Sequence, residues 1–372
     1  MKKNSCGAYM LAFAVVSVFS LSCQKNMNNS PVAAVRQDIR TSSPKDFKNF
    51  VQVNLVANNN LYGASHIDAT LVNGWGLNFP ATGNIRVIAE RSSMSNLYTL
   101  DGDIVLPTIN IPGGEKETIG RSQPTGNVCN SSPDFKLPDG NPACQIQASC
   151  NGTITAWNSG TEAITMIDQS ASASYYGIAI ANNAGDNYLY AANFIQGKID
   201  VFDKNWNPVA RSFSDPDLPA AYSPFNIQNV DGKLYVSYAK LVNGKVETGQ
   251  GKGYINVFNS SGVLEKRFAS QNKLDAPWGI VKAPALFWGS GNPLENMILI
   301  ANSGDGHITV FDQNGNYAGQ LHSNGSAIEI DGLWGIAFPP ANSLNNAYLY
   351  FAAGPNNKTD GLFGYLKNAF IN

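Results

Sequence analysis

The amino-acid sequence predicts an all-β fold, a six-bladed β-propeller of four-stranded antiparallel blades. Three observations predict it: a composition rich in turn residues, a strand phrase that recurs along the chain, and a second phrase upstream of it. The 372 residues include 35 glycines and 19 prolines, and only 14% are charged. Glycine and proline supply the backbone angles of tight turns, and the runs of helix-forming residues that long helices need are missing.

The recurring strand phrase is a glycine followed by alternating apolar and polar residues, ending in Asp or Asn. Alternation with a period of two is typical of a half-buried strand, and the residues at its two ends are typical of turns. The four copies span residues 152–158, 197–203, 253–259 and 306–312.

The upstream phrase is an aromatic residue, a glycine and then apolar alternation. A further apolar segment lies between the two phrases, so that each unit holds four strands over about 45 to 55 residues, the period of a propeller blade. Glycine here lets the innermost strands approach closely around the axis, and the aromatic residue is expected to pack between blades or to line the channel. The six phrases are centred on Trp75, Thr125, Tyr176, Phe225, Trp278 and Trp334, with Asn226 in the glycine place of the fourth.

The two ends of the repeat array predict how the ring closes. The last unit has strands near residues 334, 348–352 and 361–365 but lacks a clear fourth strand, whereas residues 50–56 alternate well and precede the first unit. An open ring would leave two apolar sheet edges exposed. We therefore expect residues 50–56 to complete the last blade, and the propeller to span residues 49–372.

The first 22 residues are typical of a signal peptide rather than of folded structure. Lys2 and Lys3 form a short basic region, and residues 8–21 are uncharged and mostly apolar but too few for a comfortable membrane-spanning helix. We expect residues 1–22 to be removed on export.

Cys23 is predicted to carry a lipid. A small residue directly before a cysteine resembles a bacterial lipobox, although Ser20 stands where leucine is usual. Gln24 does not signal retention at an inner membrane, so the expected location is the outer membrane of a bacterial cell envelope. Polar residues 23–48 are expected to form a flexible tether. Ordinary signal-peptide cleavage beside an unrelated cysteine is the alternative.

Charge limits the partners of the exported chain. A formal net charge of −2 without a basic stripe argues against nucleic-acid binding, which needs cations to displace counterions. The expected partners are the membrane, through the lipid, and an unidentified small molecule, glycan or protein.

Three cysteines remain after the signal peptide and the lipid site. Cys129 and Cys144 flank a proline-rich hairpin loop of the second unit, and export permits a disulfide between them, which typically contributes about 2–4 kcal/mol. Cys150 is then the odd thiol, and no histidine is placed to act as its base.

The sequence shows no complete catalytic constellation. The three histidines, His66, His307 and His322, have no partners at metal-ligand spacing, and no Gly-x-Ser-x-Gly motif is present. Propellers bind ligands at one face, above the central channel, through the loops that end the inner strands. The residues predicted in these loops are Glu90, Cys150, Asn193, Tyr238, Asn302, Gly354, Asn73, Asp275 and Asp331.

The phrases resemble those of NHL and gluconolactonase-like six-bladed propellers. More closely, they resemble a family of uncharacterised exported bacterial proteins, over about residues 50 to 366, and no established activity comes with that family. The segments that carry the closer resemblance are residues 73–77, 190–194, 224–228, 276–280, 331–335 and 360–364.

Gluconolactonase-like propellers hold a divalent cation at the channel mouth. The resemblance therefore implies that Ca²⁺ could bind at Glu90, Asn193, Asn226 and Asn302. The alternative is that each asparagine hydrogen-bonds its own turn.

These observations favour a binding or scaffold module at the cell envelope, because no catalytic constellation is complete. The alternative function is a divalent-cation-dependent hydrolase or lactonase with its site at the channel mouth. A carbohydrate-binding propeller, with aromatic residues such as Trp157, Trp206 and Trp288 at its surface, is the third hypothesis.

Overall fold

A computed structural model describes residues 47–114, 122–289, 294–343 and 345–370. The predicted signal peptide, the lipid site and nearly all of the predicted tether lie outside these residues. Within them the strands form six antiparallel blades, and the first strands of the six blades contact one another in a closed ring. The predicted six-bladed β-propeller is therefore confirmed. None of the helices in these ranges is both long and apolar enough to span a membrane.

Blades 1 to 3 follow the chain, and each has its first strand at the axis and its fourth at the rim. The strands of blade 1 are Gly74–Asn78, Ile85–Ala89, Met94–Tyr98 and Ile104–Asn110. The strands of blade 2 are Pro124–Cys129, Gln145–Ser149, Thr153–Trp157 and Ile164–Asp168. The strands of blade 3 are Tyr175–Asn183, Asp186–Asn193, Lys198–Asp203 and the short Pro208–Val209.

Blades 4 to 6 repeat this order with two additions, a hairpin strand in blade 4 and a short parallel strand in blade 6. The strands of blade 4 are Tyr222–Val230, Lys233–Val242, Gly253–Phe258 and Leu264–Ser270, with Lys245–Glu247 as the hairpin strand. The strands of blade 5 are Pro277–Lys282, Ile298–Asn302, Ile308–Phe311 and Tyr317–Gln320. The strands of blade 6 are Leu333–Ala337, Leu349–Ala353, Leu362–Asn368 and Phe50–Ala57, with His66–Ile67 parallel to the last.

The remaining elements are short and lie between the strands. They are a hairpin of His322–Ser323 and Ser326–Ala327, 3-10 helices at Asn60–Tyr62 and Ala285–Trp288, and a helical turn at Pro355–Lys358.

The second strands of the blades are nearly continuous apolar runs because neighbouring blades cover both of their faces. Every residue of Ile85–Ala89, Ile298–Asn302 and Leu349–Ala353 is buried. A strand covered on both faces loses the alternation that marks a half-exposed strand. The apolar segments between the two phrases in the first two units, residues 85–89 and 145–149, coincide with the second strands of blades 1 and 2.

The N-terminal strand closes the ring as the sequence predicts. Phe50–Ala57 pairs antiparallel with Leu362–Asn368, so that Phe50 faces Asn368 and Ala57 faces Leu362. The fourth strand of blade 6 therefore comes from the opposite end of the propeller sequence, and it covers an edge that would otherwise be free to pair with another chain.

The glycines of the first strands are required by close contact between blades. A Cβ atom on Gly76 would lie 2.6 Å from the carbonyl oxygen of Thr125 in blade 2. A Cβ atom on Gly335 of blade 6 would lie 2.6 Å from the carbonyl oxygen of Trp75 in blade 1. The expected crowding of the innermost strands around the axis is thus present, including at the junction where the ring closes.

Candidate functional site

The aromatic residues of the first-strand phrases meet at the axis rather than between blades. Trp75 stacks on Trp334 with 3.6 Å between ring centroids, and its ring also contacts Tyr176 and Trp278. The indole Nε1 of Trp278 in blade 5 donates to the carbonyl oxygen of Tyr176 in blade 3 at 3.0 Å, which is a bond across the ring. Phe194, which follows the second strand of blade 3, packs against the same rings. We call this cluster the aromatic plug; its members are Trp75, Tyr176, Phe194, Phe225, Trp278 and Trp334.

The plug fills the axis at the level of the first-strand phrases. Trp75, Phe194, Phe225, Trp278 and Trp334 are all buried. A ligand that approaches along the axis therefore meets the loops above the plug and not a through channel. We call the region formed by these loops the mouth.

Asn226 takes the glycine place in blade 4 and has a bonding role there. Its Nδ2 donates to the carbonyl oxygen of Trp278 at 2.7 Å, and its Oδ1 accepts from the backbone N–H of Ile227 at 2.8 Å. Its side chain also lies against Gly177 of blade 3. The amide of Asn226 thus links the first strands of three successive blades.

Asn193 and Asn302 each bind the loop that precedes the first strand of their own blade. The Oδ1 atom of Asn193 accepts from the backbone N–H of Ser174, and the Oδ1 atom of Asn302 accepts from that of Asp275, both at 3.2 Å. The Nδ2 atom of Asn302 donates to the carbonyl oxygen of Lys273 at 2.7 Å. The two amides therefore hold together the loops at the top of blades 3 and 5.

Glu90 occupies the corresponding place in blade 1 and is bound by Asn73. The Nδ2 atom of Asn73 donates to Oε2 of Glu90 at 2.7 Å, and Oδ1 of Asn73 accepts from the indole Nε1 of Trp334 at 3.1 Å. Glu90 hydrogen-bonds none of the three predicted asparagine ligands. Across the described residues, no three His, Cys, Asp or Glu side chains are grouped closely enough to hold a metal ion.

A strained turn of blade 6 brings Lys358 to the mouth. Within the turn Pro355–Lys358, the φ angles of Asn356, Asn357 and Lys358 are 54°, 55° and 67°. Each such left-handed residue other than glycine costs about 1–2 kcal/mol, and asparagine tolerates the conformation better than lysine. Three in succession persist only where the surrounding structure determines the conformation.

Asp360 holds this turn through hydrogen bonds from two parts of the chain. Its carboxylate accepts from Tyr62 Oη at 2.6 Å, from Asn59 Nδ2 at 2.9 Å and from Asn356 Nδ2 at 3.2 Å. The hydrogen bond from Tyr62 is the main cause that lowers the pKa of Asp360 below its ordinary value. Asp331 adds a second anchor, because its Oδ2 accepts from the backbone N–H of Asn356 at 2.8 Å.

The ammonium group of Lys358 lies beside the edges of the stacked indoles. Nζ is 5.0 Å from the ring centroid of Trp334 and 5.7 Å from that of Trp75. Because these two rings stack 3.6 Å apart, a point at such distances from both centroids lies next to the stack and not over an outer face. The edge of an aromatic ring carries partial positive charge, so this position gives the cation little of the stabilisation that a ring face provides.

The surroundings of Lys358 disfavour its charged form although the side chain has access to solvent. Burial lowers the pKa of Lys358, Glu90 and Cys150 raise it in part, and Arg91 lowers it further. The side chain of Lys358 is exposed. Neither Lys358 nor Arg91 has a carboxylate oxygen within 4.0 Å in the described part of the chain.

The predicted disulfide of blade 2 is not formed in this structure, in which Cys129 and Cys144 are free thiols. Cys129 faces Gln145 across the strand pair, and Nε2 of Gln145 donates to Sγ of Cys129 at 3.1 Å. Because side chains alternate between the faces of a strand, Cys144 points to the other face. Burial raises the pKa of Cys129 to about 11, so the thiol stays protonated at neutral pH.

Sequence reasoning named Glu90 and Cys150 as loop residues but did not name Lys358, whose ammonium group lies near Trp75 and Trp334. The available signal was the Gly-Pro-Asn-Asn run at residues 354–357, which is typical of a turn with left-handed residues.

The fold and the mouth define the class: a six-bladed β-propeller with a plugged axis and ionisable groups on one face. The chain belongs to the family of the uncharacterised proteins L690 and R648 of Acanthamoeba polyphaga mimivirus. L690 is 34% identical over 331 residues, which are 84% of this chain and 84% of L690. R648 is 33% identical over 334 residues, which are 84% of this chain and 79% of R648. No family model matches the chain.

Solved structures show the same fold at low sequence identity. A protein of unknown function from Bacteroides thetaiotaomicron has a TM-score of 0.53 and 10% identity, over 86% of this chain and 76% of that one. An auxiliary nutrient binding protein from Bacteroides ovatus has a TM-score of 0.51 and 11% identity, over 86% and 77%. A gluconolactonase from Xanthomonas campestris has a TM-score of 0.48 and 13% identity, over 80% and 87%, and no activity is inferred from it.

These relatives support only part of what the resemblance in the sequence implied. The propeller class is confirmed, whereas the related proteins are viral and give no support to a family of exported bacterial lipoproteins. Export, the lipid and the envelope are therefore proposals.

Proposed function

We propose that this propeller is a binding module whose ligand contacts the mouth at Lys358. The observation that carries this proposal is the turn Pro355–Lys358, in which three consecutive left-handed residues bring an exposed ammonium group beside Trp75 and Trp334. Such strain is costly and is characteristic of sites where a particular side-chain position matters. The buried aromatic plug gives the mouth a rigid base.

The location proposed for this module is the outer membrane of a bacterial cell envelope, with a lipid on Cys23. This part of the proposal is supported by the basic start, the apolar segment and the small residue before Cys23. The propeller would then be held at the membrane by the tether, with its mouth available to a ligand.

The alternative function, a hydrolase that depends on Ca²⁺, requires a different site and can be tested separately. It needs an ion held at Glu90, Asn193, Asn226 and Asn302, whose carboxylate and amides are engaged in the hydrogen bonds described above. Oxygen ligands already committed to the protein would have to exchange those bonds for the ion.

The experiment compares the full-length protein with Lys358→Met. Ligands are inorganic phosphate, gluconate, glucose, benzamide and Ca²⁺, and the readouts are thermal unfolding and tryptophan emission. We expect at least one organic ligand or phosphate to raise the Tm by about 2 °C or more and to change the emission of the nearby Trp75 and Trp334. Both effects should disappear in Lys358→Met.

Lys367→Met is the matched control. Lys367 Nζ lies 5.4 Å from the ring of Tyr348, away from the mouth, so this variant should respond like the wild type. Equal responses of Lys358→Met and the wild type would overturn the proposed site. A Tm that rises with Ca²⁺ and falls on chelation would favour the hydrolase instead.

A further inference from the structure

The interface between blades 1 and 2 is polar, and we call it the seam. In blade 2, Gln145, Gln147 and Thr155 are buried and lie on one face of the sheet, because side chains alternate along a strand and residues paired across strands share a face. Ile146 and Ala148, which alternate with the glutamines, belong to the apolar core that blade 2 shares with blade 3. The face that carries the glutamines is therefore the one that meets blade 1.

Three contacts join this face to blade 1. Nδ2 of Asn78 donates to Oε1 of Gln145 at 2.9 Å, and Sγ of Cys129 donates to Oδ1 of Asn78 at 3.1 Å. The guanidinium carbon of Arg86 lies 4.8 Å from the ring centroid of Trp157. Arg86 pairs with Asn78 in blade 1, and Trp157 pairs with Gln145 in blade 2. The guanidinium of Arg86 therefore lies in the seam.

The charge of Arg86 is buried without an opposite charge. Arg86 is 2% exposed, and of its five N–H donors one, at Nη1, is hydrogen-bonded within the described ranges, to the carbonyl oxygen of Ser95 at 3.1 Å. In these ranges no carboxylate oxygen lies within 4.0 Å of it. Burial lowers the pKa of Arg86 to about 10, so the guanidinium stays charged at neutral pH. Such a charge is costly unless a partner neutralises it.

Other polar atoms of the seam lack partners as well. Oγ of Ser95, Nε2 of Gln147 and both amide atoms of Asn127 are buried without a hydrogen bond to any residue that the structure describes. Asn127 pairs with Gln147, and a Cβ atom on Gly76 of blade 1 would lie 2.9 Å from Oδ1 of Asn127. Buried polar groups are normally satisfied by bound water or ions where the protein does not satisfy them.

The unpaired groups favour an anion over water at Arg86. The groups that Arg86 and Gln147 leave unpaired are N–H donors, which cannot accept the protons of a water molecule. Water also leaves the charge of the guanidinium in place, whereas an anion neutralises it and accepts hydrogen bonds from several sides.

We infer that the seam binds a small inorganic anion, of the size of chloride, at the guanidinium of Arg86. The unused N–H donors of Arg86 hold the anion, and the hydroxyl of Ser95 is a second donor on the residue that Nη1 already contacts. This site is separate from the mouth, because Arg86 lies near the start of the strand Ile85–Ala89 and Glu90 follows its end. It adds a structural ligand to the proposed binding module.

The test uses the full-length protein and sodium bromide, because bromide replaces chloride and scatters anomalously. In crystals grown with bromide we expect an anomalous peak in hydrogen-bond contact with the guanidinium of Arg86. In solution, raising chloride from about 2 to about 200 mM, with methanesulfonate keeping the ionic strength constant, should raise the Tm by about 2 °C or more. Arg86→Met should lose this chloride response.

Arg211→Met is the matched control, because Arg211 also lies over a ring, 3.8 Å from the centroid of Tyr188 in blade 3, but outside the seam. It should respond to chloride like the wild type. Electron density for water only at Arg86, without an anomalous peak in bromide, would overturn the inference whether or not Arg86→Met folds. A chloride response that Arg86→Met retains in full would place the anion elsewhere and overturn it too.

Discussion

Asp360 holds the turn that carries Lys358, and one carboxylate does this by accepting hydrogen bonds from two distant segments. Tyr62 and Asn59 come from the loop after the closing strand, and Asn356 comes from the turn itself. Asp360 is only 8% exposed, so these bonds are not exchanged freely with water. It is a positioning residue for the mouth.

Replacing Asp360 with asparagine should destabilise the protein by about 2 kcal/mol at pH 7, because charged acceptors make the stronger hydrogen bonds. The pKa of Asp360 is lowered in the folded state, so its contribution is complete above the unfolded pKa of about 4 and is lost as the pH falls further. Urea unfolding at pH 7 and pH 3 should therefore show the difference between wild type and Asp360→Asn narrowing at pH 3.

Asp217→Asn is the control for this measurement. Asp217 is exposed, and its substitution should change the free energy of unfolding by less than about 0.5 kcal/mol at either pH. A difference between wild type and Asp360→Asn that is the same at pH 7 and pH 3 would contradict the role given to the ionised carboxylate.

Single residues of the site were predictable only where the repeat fixed their place. Glu90 follows a second strand, and the position of that strand is readable from its apolar run. Lys358 reaches the mouth because Asn356 and Asn357 turn the chain through left-handed angles, and neither periodicity nor composition reveals that. Cys129 and Cys144 are free thiols in this structure for a related reason, since strand register and not spacing decides which face a side chain occupies.

At the scale of elements, strands with a clear period of two were predictable, including the closing strand Phe50–Ala57, whereas the short fourth strand of blade 3 was not. The third strands of blades 3 and 4, Lys198–Asp203 and Gly253–Phe258, match the recurring phrase closely. The fourth strand of blade 3 is cut to Pro208–Val209, and the chain then crosses to blade 4, where Asp215 binds Asn256 Nδ2 at 2.9 Å. That contact joins residues 41 positions apart and leaves no local pattern.

The closing strand should be essential to the stability of the whole ring. Val56 is 0% exposed within this strand, whereas Val51 of the same strand is 40% exposed. Val56→Asp places an unpaired carboxylate in the core and should cost more than about 4 kcal/mol or prevent folding. Val51→Asp should cost less than about 1 kcal/mol. Chemical denaturation followed by circular dichroism measures both, and equal losses would show that the strand does not pack as described.

At the scale of the whole molecule, the fold was predictable because one unit is repeated six times. Each blade repeats the same constraints, such as the close contact between Gly76 and Thr125. A strand misplaced in one blade therefore does not change the predicted number of blades. The ligand was not predictable in this way, because it depends on the features in which the blades differ. Among these are Asn226 in blade 4 and the Lys358 turn in blade 6.

The proposed lipid anchor at Cys23 is tested on the full-length chain. In a bacterial host fed an alkyne analogue of palmitate, the wild type should be labelled and found with the membranes. Cys23→Ser should lose the label and leave the membrane fraction, whereas Cys150→Ser should keep both. An unlabelled wild type would leave signal-peptide cleavage without lipidation as the better explanation.

The pairing of Phe50–Ala57 with Leu362–Asn368 also sets the order in which the protein matures. Asn58 and Asp360, which meet beside this pairing, are 302 positions apart, so the early strand has to wait for its partner during synthesis. The entropic cost of closing a loop grows slowly with its length, by about 0.6 kcal/mol per doubling. The pairing of these two strands offsets that cost. The donors that hold Asp360 arrive in the same step. The ring therefore closes and the turn that carries Lys358 is fixed in the same step. A chain stalled before closure would have neither a closed ring nor a fixed turn.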